Sequence, residues 1–569
     1  MLKYISLSLF VILLGCASGN REEREKIRHF VSENKQQEAL TLLEQGEIKK
    51  DKHQKLLYQL ELAKIYHNLG EYKISADYLA TASELSQSYY TKSIAQKASS
   101  YVLNDNYENY YGEIFERSLM HFYQALNFYM IYQTGIEAGF TQDKDKKTII
   151  ERKTISEQAR RQYLGRARAE ILAWDTFFQD IQRSSRYDTI YKTDLMVKIF
   201  GGVIHEAMEK SSDQQIALQL YKDALKVLKY LGATYPSYNL KDKDFLGKFV
   251  KAENKFEWKI PENIFVKTSQ FSDLNDFLVW KILKLTKNIR STDYSKMLKE
   301  LNPSDAVKAE LNSNATPNVT IVLQEGLVAE KKPDKFNFGL HGLLNNIEDP
   351  QTRASVHRIG SDVLTIFMVN VLGLLPKKGP ITYSQFAGAE VMGRISAELV
   401  SIEFEIPKVD AKAVNDTVTV EFKNKATSQV YKKNSPLMAP LSDIASQAVE
   451  ERVYSTLMKT GTRVAIKHLV AILAAHKIYE SNKQNNPLAA KYFALASYLA
   501  ASRGIAASEK ADVRYWSTLP NSLRISQLAL PAGEYEVSAE IKSEKSSQAK
   551  TLGTVTVTPK GQNIFSYSI

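Results

Sequence analysis

Few residues in this chain stand in patterns that do chemistry. Cys16 is the only cysteine, which excludes an intramolecular disulfide framework and any multi-cysteine zinc or iron–sulfur centre. The nine histidines form no H-E-x-x-H. His205-Glu206 lacks a second histidine one helical turn on, so the zincin arrangement fails. His468 and His476 stand two helical turns apart, a spacing that suits a packed pair better than two metal ligands. No metal or cofactor is expected. No G-x-S-x-G, P-loop or G-x-G-x-x-G occurs, and no local motif announces a Ser-His-Asp triad. The 64 Asp and Glu residues are too many for abundance to mark a glycosidase pair. Asp512 and Arg514, beside Trp516, read as an ion pair fixing the turn before Leu519-Pro520. No catalytic residue is assigned and no enzymatic activity is expected.

Residues suited to binding are easier to name. Tyrosines and phenylalanines crowd the stretch from Tyr89 to Tyr132. Aromatic rings with polar tips suit both helix packing and ligand stacking, and packing is the favoured reading for most of them. The loop Asn104–Gly112 is the best surface site, because loops held between rigid helices often carry function. Tyr107, Tyr110 and Tyr111 on that loop, with Trp516, are the candidate binding residues. The basic residues Arg152, Lys153, Arg160, Arg161, Arg166 and Arg168 read as a solvated helix face. They do not make the clustered, groove-reading surface that nucleic acid requires.

The N-terminus is the most specific part of the sequence. Lys3 precedes an apolar run, Ile5 to Leu14, too short to cross a hydrocarbon core of about 30 Å. This is the layout of a secretory signal peptide. Leu13-Leu14-Gly15-Cys16 then resembles the lipobox of bacterial lipoproteins, with Leu14 in place of the usual Ala or Ser. The resemblance implies cleavage before Cys16 and lipidation of Cys16. Ala17 and Ser18 follow in place of an inner-membrane retention Asp, which implies the periplasmic face of the outer membrane. Multiple acyl chains would hold the protein there firmly. The run 363–375 is too short for a span and reads as a buried helix or strand.

The elements that must position the candidate residues divide at the first proline. None occurs before Pro236, and helical periodicity runs to about residue 233. Leu69-Gly70-Glu71-Tyr72, with Ala63, Tyr66, Ser75, Tyr78 and Ala82, resembles the tetratricopeptide repeat. Gly70 permits the tight interhelical turn, and the small residues Ser75 and Ala82 allow close helix approach. The resemblance implies a divergent array with a concave protein-binding face.

The second half mixes periods. Val319–Leu323, Ala397–Ile406, Asp416–Lys423, Arg524–Leu530, Gly553–Thr558 and Asn563–Ile569 read as strands. Phe277–Ile289, Arg463–Ala475 and Leu488–Ser502 read as helices. The expected fold is α+β: a helical array followed by a mixed half and a small β-rich module. Expected boundaries are 1–15 (signal peptide), 16–34 (lipidated N-terminus and tether), 35–235 (tetratricopeptide-like domain), 236–316 (mostly helical connection), 317–510 (mixed α+β domain) and 511–569 (β-rich module). The 569 residues suit three or four domains by length.

Ala511 to Pro520, Leu530 to Tyr535, Val322 to Gly326 with Lys331 or Lys332, and Tyr111-Gly112 through Asn127 together resemble a family of large bacterial lipoproteins with tetratricopeptide-like N-terminal halves. That resemblance implies architecture and location and carries no catalytic residues. The expected function is a lipid-anchored scaffold in assembly of an envelope machine for secretion, motility or polysaccharide export. It would bind an envelope protein through its concave face, touch peptidoglycan or polysaccharide, and not bind nucleic acid. The alternative is an enzyme or accessory factor acting on peptidoglycan or envelope polysaccharide, which convergent carboxylates in a deep cleft would favour.

Overall fold

A computed structural model of the protein describes residues 19–95, 105–142, 148–183, 189–208, 210–239, 266–313, 315–339, 401–543, 546–559 and 561–569. The expected signal segment, Cys16 and the apolar run 363–375 lie outside the described residues. The chain is α+β, with helices through most of its first 311 residues and most strands after residue 319.

The N-terminal segment expected as a tether forms helix α1 (Gly19–Ser32). Its dense charge conceals two apolar residues one turn apart, Ile27 and Val31. Both are buried against Leu40 and Leu43 of α2 (Gln36–Gln45) and the neighbouring Ile65 and Tyr66. Polar bonds fix α1 further. The Glu23 carboxylate accepts from the backbone N–H of Glu47 at 2.7 Å and of Ile48 at 3.1 Å. These are free donors at the start of a short helical turn.

Helices α3 (Lys55–Asn68) and α4 (Tyr72–Ala95) form a hairpin. Gly70 turns it at φ +78°, a left-handed conformation that favours glycine. Tyr66 stacks on Tyr78, and the Ser75 hydroxyl donates to the Ala63 carbonyl at 2.6 Å. Helix α5 (Ile114–Thr134) opens with a capping box between Glu113 and Glu116 and closes at left-handed Gly135.

There the continuous helical pattern expected from the sequence breaks. Strands β1 (Ile136–Gln142) and β2 (Thr148–Thr154) pair antiparallel. Ala138 is buried and Phe140 packs edge-on to Tyr66. Arg152 and Lys153 therefore stand on a strand, not on the expected helix face. Helices α6 (Glu157–Arg183), α7 (Leu195–Ala207) and α8 (Ser211–Leu231) follow. Gly202 brings α7 so close to α8 that an added Cβ would lie 2.6 Å from the Tyr221 ring. Helices α9 (Ser269–Ile289), α10 (Ser291–Leu301) and α11 (Asp305–Leu311) complete the series.

Twelve strands are described in all, and eight of them build two four-stranded sheets. One has the order β11–β10–β6–β7: β11 is Ser546–Val557, β10 Gly533–Ser543, β6 Thr417–Asn424 and β7 Val430–Asn434. The other is β12–β3–β9–β8: β12 is Asn563–Ser568, β3 Val319–Glu325, β9 Ser522–Leu528 and β8 Leu437–Ala439. Only the β12–β3 pairing in these sheets is parallel. The sheets bury their facing sides together: Val319, Ile321 and Leu323 of β3 meet Val418, Val420 and Phe422 of β6 and Tyr535, Val537 and Ala539 of β10. The opposite face of the second sheet, with Val322, Leu523, Ile525 and Ile564, packs into the helical core. This double cover explains why every residue of β3 and β9 is buried and why apolar residues of β3 point to both faces, Ile321 and Leu323 to one and Val322 to the other. Strands β4 (Lys331–Gly339) and β5 (Ser401–Val409) pair separately. A short helix α12 (Leu441–Glu450) leads to the hairpin of α13 (Val453–Asn482) and α14 (Pro487–Ser508).

Packing continues across the expected boundaries at 235 and 511. One core cluster runs from Leu56 to Ile564. It includes Tyr123, Trp174 and Phe200 of the helices together with Trp516, Leu519 and Ile525. Among the described residues no helix is long and apolar enough to cross a membrane.

Candidate functional site

A cleft of about 150 Å³ opens where the loop before α5 meets the segment after α14. Two of the sequence candidates line it, Tyr110 and Tyr111, and so do Asp512 and Arg514. Residues some four hundred positions apart thus share one site. Tyr107 stands on a short helical turn, 46% exposed, outside the lining. Trp516 corrects the expectation placed on it. It is fully buried, its ring lies 5.8 Å from that of Tyr123, and its backbone N–H donates to Glu116 at 2.6 Å. It is a core residue beneath the cleft, because its large apolar ring fills the seam between α5 and the sheet. Cys16 lies outside the described residues.

Glu113 organises the wall. As the N-cap of α5 it is held by the backbone, and its two carboxylate oxygens take Lys331 at 2.9 Å and Arg452 at 2.5 Å. Burial alone would raise its pKa. Arg452 and Lys331 outweigh burial and hold the carboxyl at about 2. Asp512 follows the same logic: burial opposes its charge, but Arg514 grips it through two bonds of 2.8 and 2.7 Å and keeps it well below the usual carboxylate range. Arg514 also donates to the Glu108 carbonyl at 2.9 Å and lies over the Tyr110 ring. The ion pair expected from the sequence is present and ties the tyrosine loop to the C-terminal segment.

Behind the wall Glu116 is the opposite case. Burial, with the charge of Glu113, pushes it up to about 7. Its oxygens accept from the Trp516 and Glu113 backbone N–H groups and from the Tyr110 hydroxyl. It is a structural carboxyl with its lone pairs engaged, and it does not line the cleft.

Six basic side chains line the cleft against four acidic ones. Glu113 and Asp512 are each spoken for by cations, and Glu405 takes Lys510 at 3.0 Å. Arg463 and Lys467 converge on buried Glu509 just behind. The arrangement presents paired charges with a basic excess of two, together with tyrosine rings, in a space of roughly benzene size. It is suited to seat one acidic side chain or another small anionic group.

The sequence reading missed Glu113, Arg452, Lys459 and Arg463 as site residues. Each sits on an element end or helix face with nothing local to mark it, and only the tertiary fold assembles them. Lys331 had a signal, since it belongs to the segments that carry the family resemblance. Elsewhere, His205 bonds Asp213 at 2.8 Å, and buried His468 packs against Tyr498. Among the described residues no group of three His, Cys, Asp or Glu side chains is arranged to hold a metal ion. Comparison of the chain with protein-family models, with curated proteins and with solved structures finds no match.

Proposed function

We propose that this protein is a lipid-anchored, periplasm-facing outer-membrane lipoprotein that works by binding, as a docking scaffold for a protein partner in assembly of an envelope machine. The lipobox-like sequence ending in Cys16 supports the anchor. Helix hairpins such as α3–α4, with left-handed Gly70 and close-packed Ser75, support a divergent tetratricopeptide-like array. The observation that carries the binding role is the charged, tyrosine-lined cleft at the junction of helices and C-terminal segment. Its basic excess favours an acidic group on the partner. Its volume suits a side chain better than a polysaccharide. Glu113 and Asp512 are neutralised by cations at their own carboxylates, which favours docking over the acid–base pair of a glycosidase.

The test is crosslinking and membrane fractionation in cells, comparing wild type, Cys16→Ala, and the double charge reversal Lys459→Glu/Lys510→Glu in the cleft. The expected result is that wild type fractionates with the outer membrane and captures a defined set of envelope proteins. Cys16→Ala is released from the membrane, and the charge reversal stays anchored but loses the partners. A soluble wild type sinks the anchor. A charge-reversed protein that keeps every partner sinks the cleft. Recovery of wall polysaccharide alone replaces the scaffold with the alternative reading.

A further inference from the structure

A second cleft of about 480 Å³ lies between α1, α3 and the edge of the β12–β3–β9–β8 sheet. Four basic side chains line it: Arg28, Lys64, Lys412 and Lys550. The direct hydrogen bonds of Arg28, Lys412 and Lys64 go to neutral groups. Arg28 donates to the carbonyls of Ser517 at 2.7 Å and Val328 at 2.8 Å. Lys412 donates to the Leu327 carbonyl at 2.8 Å. Lys64 is 3% exposed, bonds the Asn68 amide oxygen and lies 5.3 Å from the centre of the Tyr123 ring. Among the described residues no carboxylate comes within ion-pair distance of any of the four. Glu61, whose charge acts on Lys64 and Arg28, spends its oxygens on the Ser517 and Thr518 N–H groups and the Thr518 hydroxyl, and Glu330 acts on Lys412 only from a distance. Glu25 on the rim is held by Arg21, and Ile569 also borders the cleft.

A buried ammonium is costly unless it is paired. Burial holds the Lys64 amine down to about 7, with Glu61 opposing, so an anion beside it would restore its charge. Four cations lining one cleft with no described carboxylate at ion-pair distance match a ligand of more than one negative charge, and lysine binds phosphate as a point charge. The cleft volume is also within the usual range of small-molecule sites. We propose that this cleft binds a phosphoryl-bearing anion, with Lys64 at its floor and Arg28, Lys412 and Lys550 around it. The site is separate from the Glu113 cleft and does not depend on the docking reading.

The test is titration of the full chain by calorimetry with inorganic phosphate and glycerol phosphate, and by sedimentation with vesicles of phosphatidylcholine with or without phosphatidylglycerol. Lys64→Met and the rim variant Lys412→Gln/Lys550→Gln are compared with wild type, each first checked for an unchanged circular dichroism spectrum. Phosphate binding weakened about tenfold or more by Lys64→Met, as expected for loss of one charge-assisted bond, supports the site. The rim variant should weaken it in the same direction without touching the buried position. If Lys64→Met fails to fold, the rim variant decides alone. Binding of phosphatidylglycerol vesicles that needs the same lysines identifies a lipid headgroup as the source. Binding of only the soluble phosphates identifies a free ligand. The proposal is overturned if neither form of phosphate binds, or if the folded variants bind as wild type does.

Discussion

At the scale of single residues, the most consequential polar group outside the clefts is His67. It is buried where α3, α4, α5 and the sheet meet. Its Nδ1 bonds the Asn127 amide oxygen at 2.7 Å, and Asn127 in turn donates to Ser75. Its Nε2 faces the Gln324 amide at 3.3 Å, while Gln324 accepts from the Tyr123 hydroxyl at 2.8 Å. A proton on Nε2 would have no acceptor there. Burial, together with the charge of Lys64, pushes the His67 pKa down to about 3, against the favourable Asn127 bond. An unfolded imidazole takes its proton near 6.5. The unfolded chain therefore binds a proton below about 6.5 that the folded chain refuses until about pH 3. The His67 contribution to stability is complete above 6.5 and is lost as pH falls through that window. In urea titrations at a series of pH values, His67→Gln should flatten the loss of stability between pH 6.5 and 4 by up to about one proton. An unchanged slope would show that His67 is not the group responsible.

At the scale of elements, close approach explains both what could be read from the sequence and what was hidden. The strands β3, β6, β9 and β12 were legible because their residues alternate, or run apolar where both faces are covered. The helices α9, α13 and α14 were legible from period alone. The β1–β2 hairpin was not, because Ile149, Ile150 and the charged Glu151 to Lys153 carry little alternation and only Ala138 on β1 reaches the core. Helix α1 was hidden by its charge. The cleft was half legible: its tyrosines and its Asp512–Arg514 pair were named from local pattern, whereas Glu113, Arg452 and Arg463 have meaning only once distant elements meet. Glycines in helices test the same idea of contact. Gly202 lies where α7 presses on Tyr221, so Gly202→Ala should destabilise the protein by about 1–3 kcal/mol through overpacking. Gly165 of α6 is exposed and has open space at its Cβ position. Gly165→Ala should stabilise by about 0.5–1 kcal/mol. Denaturant midpoints at constant slope measure both, and equal effects of one sign would refute the contact argument.

At the scale of the whole molecule, the question is whether helices and sandwich are one folding unit. The buried connections say they are. Glu61 of α3 caps the backbone of Ser517 and Thr518, Glu116 of α5 takes the Trp516 N–H, and the Gln133 side chain of α5 brackets Ile564 of β12. The centre of the second sheet holds a further tie. Arg524 is 1% exposed, bonds Glu325 at 2.8 Å and reaches the Gln270 side chain of α9 at 3.1 Å. Cutting the chain near 235 or 511 would therefore open a shared interior and not a linker. Equilibrium unfolding followed by far-ultraviolet circular dichroism, which reports mainly the helices, should coincide with unfolding followed by exchange protection of β3 and β9 amides. Arg524→Met provides the perturbation, because it leaves Glu325 buried without its cation. The expected cost is about 3–5 kcal/mol, felt equally by both probes although the substitution lies in a strand. If Arg524→Met lowered sheet protection while the helical signal kept its wild-type midpoint, the helices would hold together without the sandwich. The common core would then be an interface between two separately stable parts, and the Glu113 cleft would sit at a hinge.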